Sequence, residues 1–303
     1  MKILCIDGGG IRGVFAVAIL QAIEKEFNGP VCDLFDMVAG TSTGSIIASS
    51  VTLNQDLSEM QMKYKKYGKK IFKRQAKLGI FKSVYSDRYM REYFQEAYQN
   101  IGLSQIKKPL LIPSVNVSEG RPYVYRSNYG NIHENDLSIK LWDAVLSSCS
   151  APIYFPPNNI SNKYLSADGG LWANNPSLVC LTEAIHFFKK PMNEIKILSI
   201  GTGQQKIDFK IDKEKSWGLD KWLPFKFMTS KVTPKLLDLA MHLSSESVSE
   251  QCEMLLGDNY LRLNEDLGKE VPFDDIKYID ELIALGNKVI QEEKDKVMKF
   301  LEV

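Results

Sequence analysis

The segment 40–44 reads GTSTG and lies between an apolar run and a helix-compatible stretch. This order predicts a strand that ends in a sharp turn and continues as a helix, the context in which a serine becomes a nucleophile. Gly40 and Gly44 allow the backbone to bend tightly and keep Cβ atoms away from Ser42. We therefore expect an α/β fold in which the Ser42 hydroxyl reaches a cleft at the start of a helix.

A second glycine-rich turn, DGGGIRG at 7–13, follows the apolar run 1–6 and precedes a helix predicted over 14–27. Backbone N–H groups in such a turn point at one spot near the positive end of the helix dipole. That spot stabilises an anion, either a phosphate or the oxyanion of an acyl-transfer intermediate.

A dinucleotide site is the alternative interpretation of this turn, since 8–13 fits G-x-G-x-x-G and the acidic residues Asp33 and Asp36 follow. A dinucleotide fold places its acidic residue at the end of the second strand. Here Asp36 precedes the apolar core of that strand, which runs into Ser42 instead. The sequence also lacks the G-x-x-x-x-G-K-[ST] phosphate loop, so both nucleotide patterns are disfavoured.

The third motif is DGG at 168–170, directly after the strand-like run 164–167. An isolated Asp-Gly-Gly is most often a tight turn. At the end of a strand, however, two glycines leave the Asp168 carboxylate open to a close partner such as the Ser42 hydroxyl.

In this order, the motifs at 7–13, 40–44 and 168–170 resemble the three signature motifs of patatin-like phospholipases. The segments 147–157 and 197–203 are similar to two further segments of that family. The resemblance implies a lipid acyl hydrolase that cleaves fatty-acyl esters of phospholipids through an acyl-enzyme. It also implies a three-layer α/β/α sandwich with a mainly parallel central sheet.

The resemblance further implies roles for individual residues. Ser42 is the expected nucleophile and Asp168 its base, as a Ser–Asp dyad, while Arg12 supports the first loop or contacts a lipid phosphate. The expected oxyanion hole comprises Gly8, Gly9, Gly10 and Arg12, and the glycines that shape the other motifs are Gly40, Gly44, Gly169 and Gly170. Neither a metal nor another cofactor is expected.

Histidine, the usual base for a serine, occurs only three times. His186 and His242 fall in the predicted helices 176–188 and 234–256, where a partly buried structural role is the expectation, and His133 in a polar loop is the hardest to exclude. An aspartate can act directly on serine if burial raises its pKa towards neutrality. Apolar neighbours of Asp168, such as Tyr164, Leu165 and Trp172, favour that shift.

Strand-like and helix-like runs alternate along the 303 residues, which predicts an α/β sandwich on a mainly parallel sheet. The predicted strands are 3–7, 35–39, 110–117, 123–126, 164–167, 195–201 and 260–263. Repeats and linker-like stretches are absent from the sequence, so we expect a single domain over 1–303. Its motifs fall within 7–203, and a helical carboxy-terminal part at 234–303, with helices at 234–256 and 274–301, packs on it.

The five cysteines are scattered without metal-ligand spacing, which favours buried thiols in a reducing compartment. The chain begins directly with a core strand and contains no apolar run long enough to cross a membrane. These observations predict a cytoplasmic protein that contacts lipid from the water side.

The stretch 63–82 carries nine cationic residues and no acidic one, although the net charge of the chain is only +1. Aromatic and aliphatic residues interleave with them. One interpretation is a solvated helix with an apolar inner face; the other is an amphipathic patch that docks on anionic phospholipid. Nucleic acid is a weaker partner, because no binding motif is present.

The segment 209–234 mixes tryptophan, phenylalanine and lysine and fits a lid, an acyl channel, an oligomer interface or ordinary core. Some compact bacterial patatin-like proteins, which this chain resembles in size, are antiphage effectors switched on by a cyclic nucleotide. A small-nucleotide activator and a homo-oligomer are therefore candidate partners. The alternative function is a conditionally silent lipid- or nucleotide-binding regulator that acts by protein contact.

Overall fold

The computed structural model describes residues 1–76, 82–129, 134–204, 225–226, 231–232 and 235–302. His133 and most of the aromatic segment 209–234 lie outside these ranges, so the interpretations given for them stay predictions. The strands are β1 (Lys2–Ile6), β2 (Met37–Gly40), β3 (Leu110–Asn116), β4 (Arg121–Arg126), β5 (Asn158–Ile160), β6 (Tyr164–Asp168), β7 (Lys196–Ile200), β8 (Phe225–Lys226), β9 (Lys231–Val232) and β10 (Tyr260–Leu263).

The main sheet has the order β10-β7-β1-β2-β3-β6-β5, with β4 also paired to β3. The five strands from β10 to β3 pair in parallel, whereas β4, β6 and β5 are antiparallel to their neighbours. The turns 117–120 and 161–163 explain the antiparallel β3–β4 and β5–β6 pairs, because connections this short can join only antiparallel strands. The predicted sandwich is confirmed: five of the eight strands pair in parallel, and the antiparallel strands make the sheet as a whole mixed. The three-residue strand β5 was not predicted.

Ten helices occur among the described residues, apart from short 3-10 turns. They are α1 (Gly13–Phe27), α2 (Thr43–Thr52), α3 (Leu57–Ile71), α4 (Arg88–Tyr98), α5 (Glu134–Leu137), α6 (Leu141–Ser148), α7 (Gly170–Ala173), α8 (Ser177–His186), α9 (Lys235–Leu256) and α10 (Ile279–Leu301). In the part of the chain that the structure describes, none of them is both long and apolar enough to cross a membrane.

Helices cover both faces of the sheet. Leu4 and Ile6 of β1 are buried in one apolar cluster with residues of α1, α2, α3, α4, α6 and α10. Ile3 and Cys5 point the other way, into a second cluster with residues of α8 and α9. Successive side chains of a strand face opposite sides, so the sheet forms the middle of three layers. All five cysteines are buried free thiols, as predicted.

The last helix begins later than the predicted start at 274. Asp275 accepts a hydrogen bond from the Lys277 amide and caps a single 3-10 turn, and α10 follows only after it. Gly286 of α10 then lies against the Phe15 carbonyl of α1, which lets the two helix backbones approach closely. Helix α3 covers only the first part of the basic stretch 63–82, because it ends at Ile71.

Candidate active site

Ser42 occupies the turn between β2 and α2 with φ 53° and ψ −124°. A non-glycine residue rarely adopts a positive φ, and such strain is concentrated at functional sites. The flanking glycines make this turn possible: a Cβ on Gly40 would collide with the Gly44 carbonyl, and a Cβ on Gly44 would collide with the Ile6 carbonyl. The strand, turn and helix predicted around Ser42 are therefore present.

Asp168 lies directly against Ser42. The Ser42 hydroxyl donates a hydrogen bond to Asp168 Oδ2 at 2.7 Å, and the Gly170 amide donates to Oδ1 at 2.7 Å. Both side chains are nearly closed to solvent, with Ser42 8% and Asp168 2% exposed. Burial raises the pKa of Asp168 to about 7, although its two hydrogen bonds act to lower it. A carboxylate with this pKa can exchange a proton with serine near neutral pH.

The sheet brings Asp168 to the serine. Asp168 ends β6 and lies opposite Ser114 of the antiparallel strand β3, and its amide donates to the Ser150 carbonyl at 3.0 Å. The next residue, Gly169, packs so closely on the Pro113 carbonyl that a Cβ there would collide with it. These contacts place the carboxylate at the end of the strand, as the sequence predicts.

Ser148 fixes the backbone of the serine turn. Its hydroxyl accepts a hydrogen bond from the Ser42 amide at 2.9 Å and donates one to the Pro113 carbonyl at 2.6 Å. The hydroxyl therefore links the strained turn to the strand beside Asp168. Sequence reasoning included Ser148 in the segment 147–157 but gave it no role, because a serine at the end of a helix carries no signal of its distant partner.

The first glycine-rich loop lies next to Ser42, since a Cβ on Gly8 would be 3.2 Å from Ser42 Cβ. The Gly8 amide donates to the Asn174 carbonyl at 3.1 Å, so it is already engaged, which argues against its predicted place in the oxyanion hole. Gly8's carbonyl accepts from Thr202 Oγ1 at 2.9 Å and Gly9's carbonyl accepts from Arg12 Nε at 3.3 Å. In a trans peptide group the C=O of one residue and the N–H of the next point in opposite directions. The N–H groups of Gly9 and Gly10 therefore point away from the Thr202 hydroxyl and the Arg12 side chain.

Arg12 and Asp7 are held on the far side of this loop. Arg12 lines a polar cavity there, whereas the cleft that contains Ser42 is lined by other residues. This placement supports its predicted role as a loop support and not a contact with lipid phosphate in the Ser42 cleft. Burial acts to lower the pKa of Arg262, but the Asp7 carboxylate outweighs it and raises that pKa. Asp7 and Arg262 thus form a buried ion pair under the loop.

Neither histidine that the structure describes lines the Ser42 cleft. His186 is exposed at the end of α8, contrary to the partly buried position expected for it, and its ring contacts Phe187. His242 is half-buried in α9 and lines the polar cavity beyond the glycine loop.

The dyad opens into an apolar cleft that encloses about 840 Å³ together with the solvent at its mouth. Helix α3 supplies one wall, and Tyr64 from this helix lies with its hydroxyl 2.5 Å from Thr43 Oγ1. The other walls are aliphatic and aromatic, and they include Ile11, Ile46, Met90, Tyr93, Phe94, Phe155 and Phe273. Burial also raises the pKa of the cleft residue Cys149, so its side chain is a neutral thiol.

Comparison with known proteins identifies relatives along almost the whole chain. A cGAMP-activated phospholipase of Pseudomonas aeruginosa is 26% identical over 292 residues, covering 94% of this chain and 83% of that protein. Another cGAMP-activated phospholipase, from Vibrio cholerae, is 32% identical over 228 residues, covering 67% and 64%. Patatin-like protein 1 of Arabidopsis thaliana is 28% identical over 342 residues, covering 96% and 81%.

The family model described as patatin-like phospholipase matches residues 4–181. This range is more than half of the chain and contains the glycine-rich loop, the serine turn and the Asp-Gly-Gly motif. The chain therefore belongs to the patatin-like phospholipase family.

Proposed function

We propose that this protein hydrolyses fatty-acyl ester bonds of phospholipids through a Ser42–Asp168 dyad. The observation that carries the proposal is the 2.7 Å hydrogen bond from the Ser42 hydroxyl to Asp168 at the base of an apolar cleft. Serine becomes nucleophilic when a positioned base accepts its proton. Membership of the patatin-like phospholipase family supports the same reaction class.

The cleft supports a long acyl chain as the substrate group. Its walls are aliphatic and aromatic, so a fatty-acyl chain gains free energy by leaving water for this surface. The ester carbonyl of such a chain then lies at Ser42, and the polar head group remains at the open mouth. Exposed lysines of α3, on the outer face of the same helix that walls the cleft, favour an anionic membrane surface as the source of substrate.

In the first half-reaction, Ser42 Oγ attacks the ester carbonyl carbon while Asp168 Oδ2 takes the hydroxyl proton. The oxyanion that forms is stabilised by the amides of Gly9 and Gly10, whose peptide groups are oriented by Thr202 and Arg12. Asp168 then gives its proton to the departing lysophospholipid oxygen. The result is an acyl ester on Ser42, which water hydrolyses in the second half-reaction.

A small nucleotide is the activator that the relatives suggest, since two of them are named cGAMP-activated phospholipases. The small exposed fraction of Ser42 and Asp168 at the base of the cleft favours such control, because an activator that widens the approach to Ser42 would raise the rate. The same burial favours the second candidate function, a conditionally silent regulator that binds lipid or nucleotide and acts by protein contact.

The test is the release of fatty acid from vesicles of phosphatidylethanolamine and phosphatidylglycerol, measured by mass spectrometry with and without cyclic GMP-AMP. We expect the wild-type protein to release fatty acid and the Ser42→Ala and Asp168→Asn variants to release none. Release only with the nucleotide would support control by an activator. Release by the wild type and Ser42→Ala alike would contradict the dyad. No release by the wild type under either condition would favour the regulator.

A further inference from the structure

A second cavity lies on the other side of the glycine-rich loop. It is lined by polar and charged side chains, among them Arg12, His242, Arg262 and Asn264. About 40 Å³ of it is open to the centre of a water molecule, more than the roughly 10–15 Å³ that one water needs. Met241 and Phe273 line both this polar cavity and the apolar cleft, so these side chains lie between the two spaces.

Asn174 lines the polar cavity and also lies close to Ser42 and Asp168. A Cβ atom on Gly170 would lie 3.0 Å from both Asn174 Oδ1 and Asp168 Oδ1, and a Cβ on Gly8 would collide with Asn174 Oδ1 while lying 3.2 Å from Ser42 Cβ. The amide oxygen of Asn174 is therefore a near neighbour of both members of the dyad.

The hydrogen bonds around Asn174 determine which amide atom faces the dyad. The Ser245 hydroxyl donates to Asp7 Oδ2 at 3.1 Å, because an ionised carboxylate can only accept. Ser245 must then accept from its other neighbour, and Asn174 Nδ2 donates to it at 2.8 Å. This network leaves Oδ1 of Asn174 on the side of the dyad.

Asn174 Oδ1 is a buried acceptor with no hydrogen-bond partner among the residues that the structure describes. Asn174 is only 6% exposed, and a buried polar atom normally has a partner. Asn174 Oδ1 is thus an unfilled acceptor that lies between a polar cavity large enough for water and the residues Ser42 and Asp168.

We propose that Asn174 Oδ1 and the polar cavity bind and position the water that hydrolyses the acyl-enzyme. This inference rests on the proposed hydrolase function. Once an acyl chain fills the apolar cleft, water in that cleft would have few polar partners, whereas the polar cavity offers many and is separated from Ser42 by Gly8 and Asn174, which line it. One O–H of the water donates to Asn174 Oδ1 and the other to Asp168.

Deacylation transfers the acyl group from Ser42 to this water. The water oxygen attacks the acyl carbonyl carbon, and its proton passes to Asp168. The bond between that carbon and Ser42 Oγ breaks, Oγ takes the proton from Asp168, and a free fatty acid leaves. Asn174 does not exchange a proton in this step and acts as a positioning residue for the water.

The test separates acylation from deacylation in Asn174→Ala and in Asn174→Leu, which retains most of the side-chain volume. A chromogenic p-nitrophenyl hexanoate assay measures the rapid first turnover and the later steady rate, and intact-protein mass spectrometry measures the hexanoyl adduct on Ser42. We expect a first turnover within a few-fold of wild type, a steady rate about 10- to 100-fold lower, and accumulation of the adduct. Hydroxylamine, a stronger nucleophile than water, should speed removal of that adduct.

Asn175 provides the matched control. It is also a buried asparagine, but its side chain donates to the Tyr260 hydroxyl at 3.2 Å and accepts from the Ser177 amide at 3.0 Å. Asn175→Ala should therefore accumulate no adduct. An equal fall of both phases in the two Asn174 variants, or no adduct in either, would overturn the inference. A wild-type protein with no Ser42-dependent turnover, whether cyclic GMP-AMP is present or not, would instead reject the hydrolase function itself.

Discussion

Arg262 donates two hydrogen bonds to Asp7, with Nη1 2.8 Å from Oδ1 and Nη2 2.6 Å from Oδ2. Asp7 begins the glycine-rich turn and Arg262 lies in β10, so the edge strand of the sheet holds the first motif in place. Arg262 also donates to Ser199 on the intervening strand β7 at 2.8 Å. The charge of Asp7 is thus compensated by a residue far away in the chain.

Replacing Arg262 by methionine should destabilise the fold by about 3–5 kcal/mol, because it leaves the Asp7 charge buried without a partner. Urea unfolding of the purified protein measures this loss. The double variant Asp7→Asn/Arg262→Met should recover at least about 2 kcal/mol of the lost stability, since it contains no buried charge without a partner. If the loss in the double variant equals the sum of the losses in the two single variants, Asp7 and Arg262 are not coupled and the pairing is contradicted.

Activity should depend on pH through Asp168. In the proposed mechanism Asp168 accepts the proton of Ser42, so it must be ionised, and its pKa is raised to about 7. We therefore expect kcat/KM to level off above about pH 8 and to fall about tenfold per pH unit well below pH 7. Initial rates of fatty-acid release between pH 5 and pH 9 check this. A profile that is flat down to pH 5 would argue against Asp168 as the base.

The same pKa predicts an effect on stability. The unfolded Asp168 ionises near its usual value of 3.8, whereas the folded form keeps its proton until about pH 7. The folded protein holds this proton more tightly than the unfolded chain does. The free energy of unfolding of the wild type therefore falls as the pH rises from 3.8 to about 7. The stability of Asp168→Asn relative to wild type should increase by about 2–3 kcal/mol between pH 5 and pH 7. Paired urea titrations at the two pH values measure the change, and an unchanged difference would contradict the raised pKa.

Gly44 should tolerate no side chain. In Gly44→Ala the new methyl group would collide with the Ile6 carbonyl, and we expect a loss of about 3 kcal/mol or more together with loss of activity. Gly102→Ala is the matched control, because the nearest atom to its Cβ, Ser104 Oγ, is 3.4 Å away and its φ is −88°. That variant should lie within about 1 kcal/mol of wild type by thermal or urea unfolding.

The lysines of α3 should contribute to membrane binding. Lys66, Lys69 and Lys70 are exposed on this helix, and each lysine near an anionic bilayer contributes about 1 kcal/mol. Replacing all three by alanine should weaken binding to phosphatidylglycerol vesicles by at least about tenfold at low salt. Sedimentation with vesicles at increasing salt measures the affinity, which should fall steeply for the wild type only.

The control for this prediction replaces Lys163, Lys189 and Lys190, which are equally exposed but lie away from α3. It removes the same charge and should bind vesicles as the wild type does. Equal losses in both triple variants would indicate a general charge effect and would reject a membrane site on α3.

Local sequence was enough to predict the serine turn. Gly40, Ser42 and Gly44 form a strand, turn and helix through contacts with immediate neighbours, and the steric limits at the two glycines act over a few residues. The same holds for the helix after the first glycine-rich loop and for most strands, whose apolar runs are continuous because helices cover both sheet faces. The three-residue strand β5 escaped prediction because it is too short to show a pattern.

Contacts between distant residues were decided only by the tertiary structure. The sequence marked Asp168 as a candidate, but the fold set its 2.7 Å distance from Ser42 and the burial that raises its pKa. Arg262, Ser148 and the orientation of Asn174 carried no local signal, because each acts on a partner in another motif. Helix α3 shows the same limit. Its apolar periodicity is identical for a face that packs in a core and one that lines a cleft, since both exclude water, and only the packing of neighbouring elements distinguishes them.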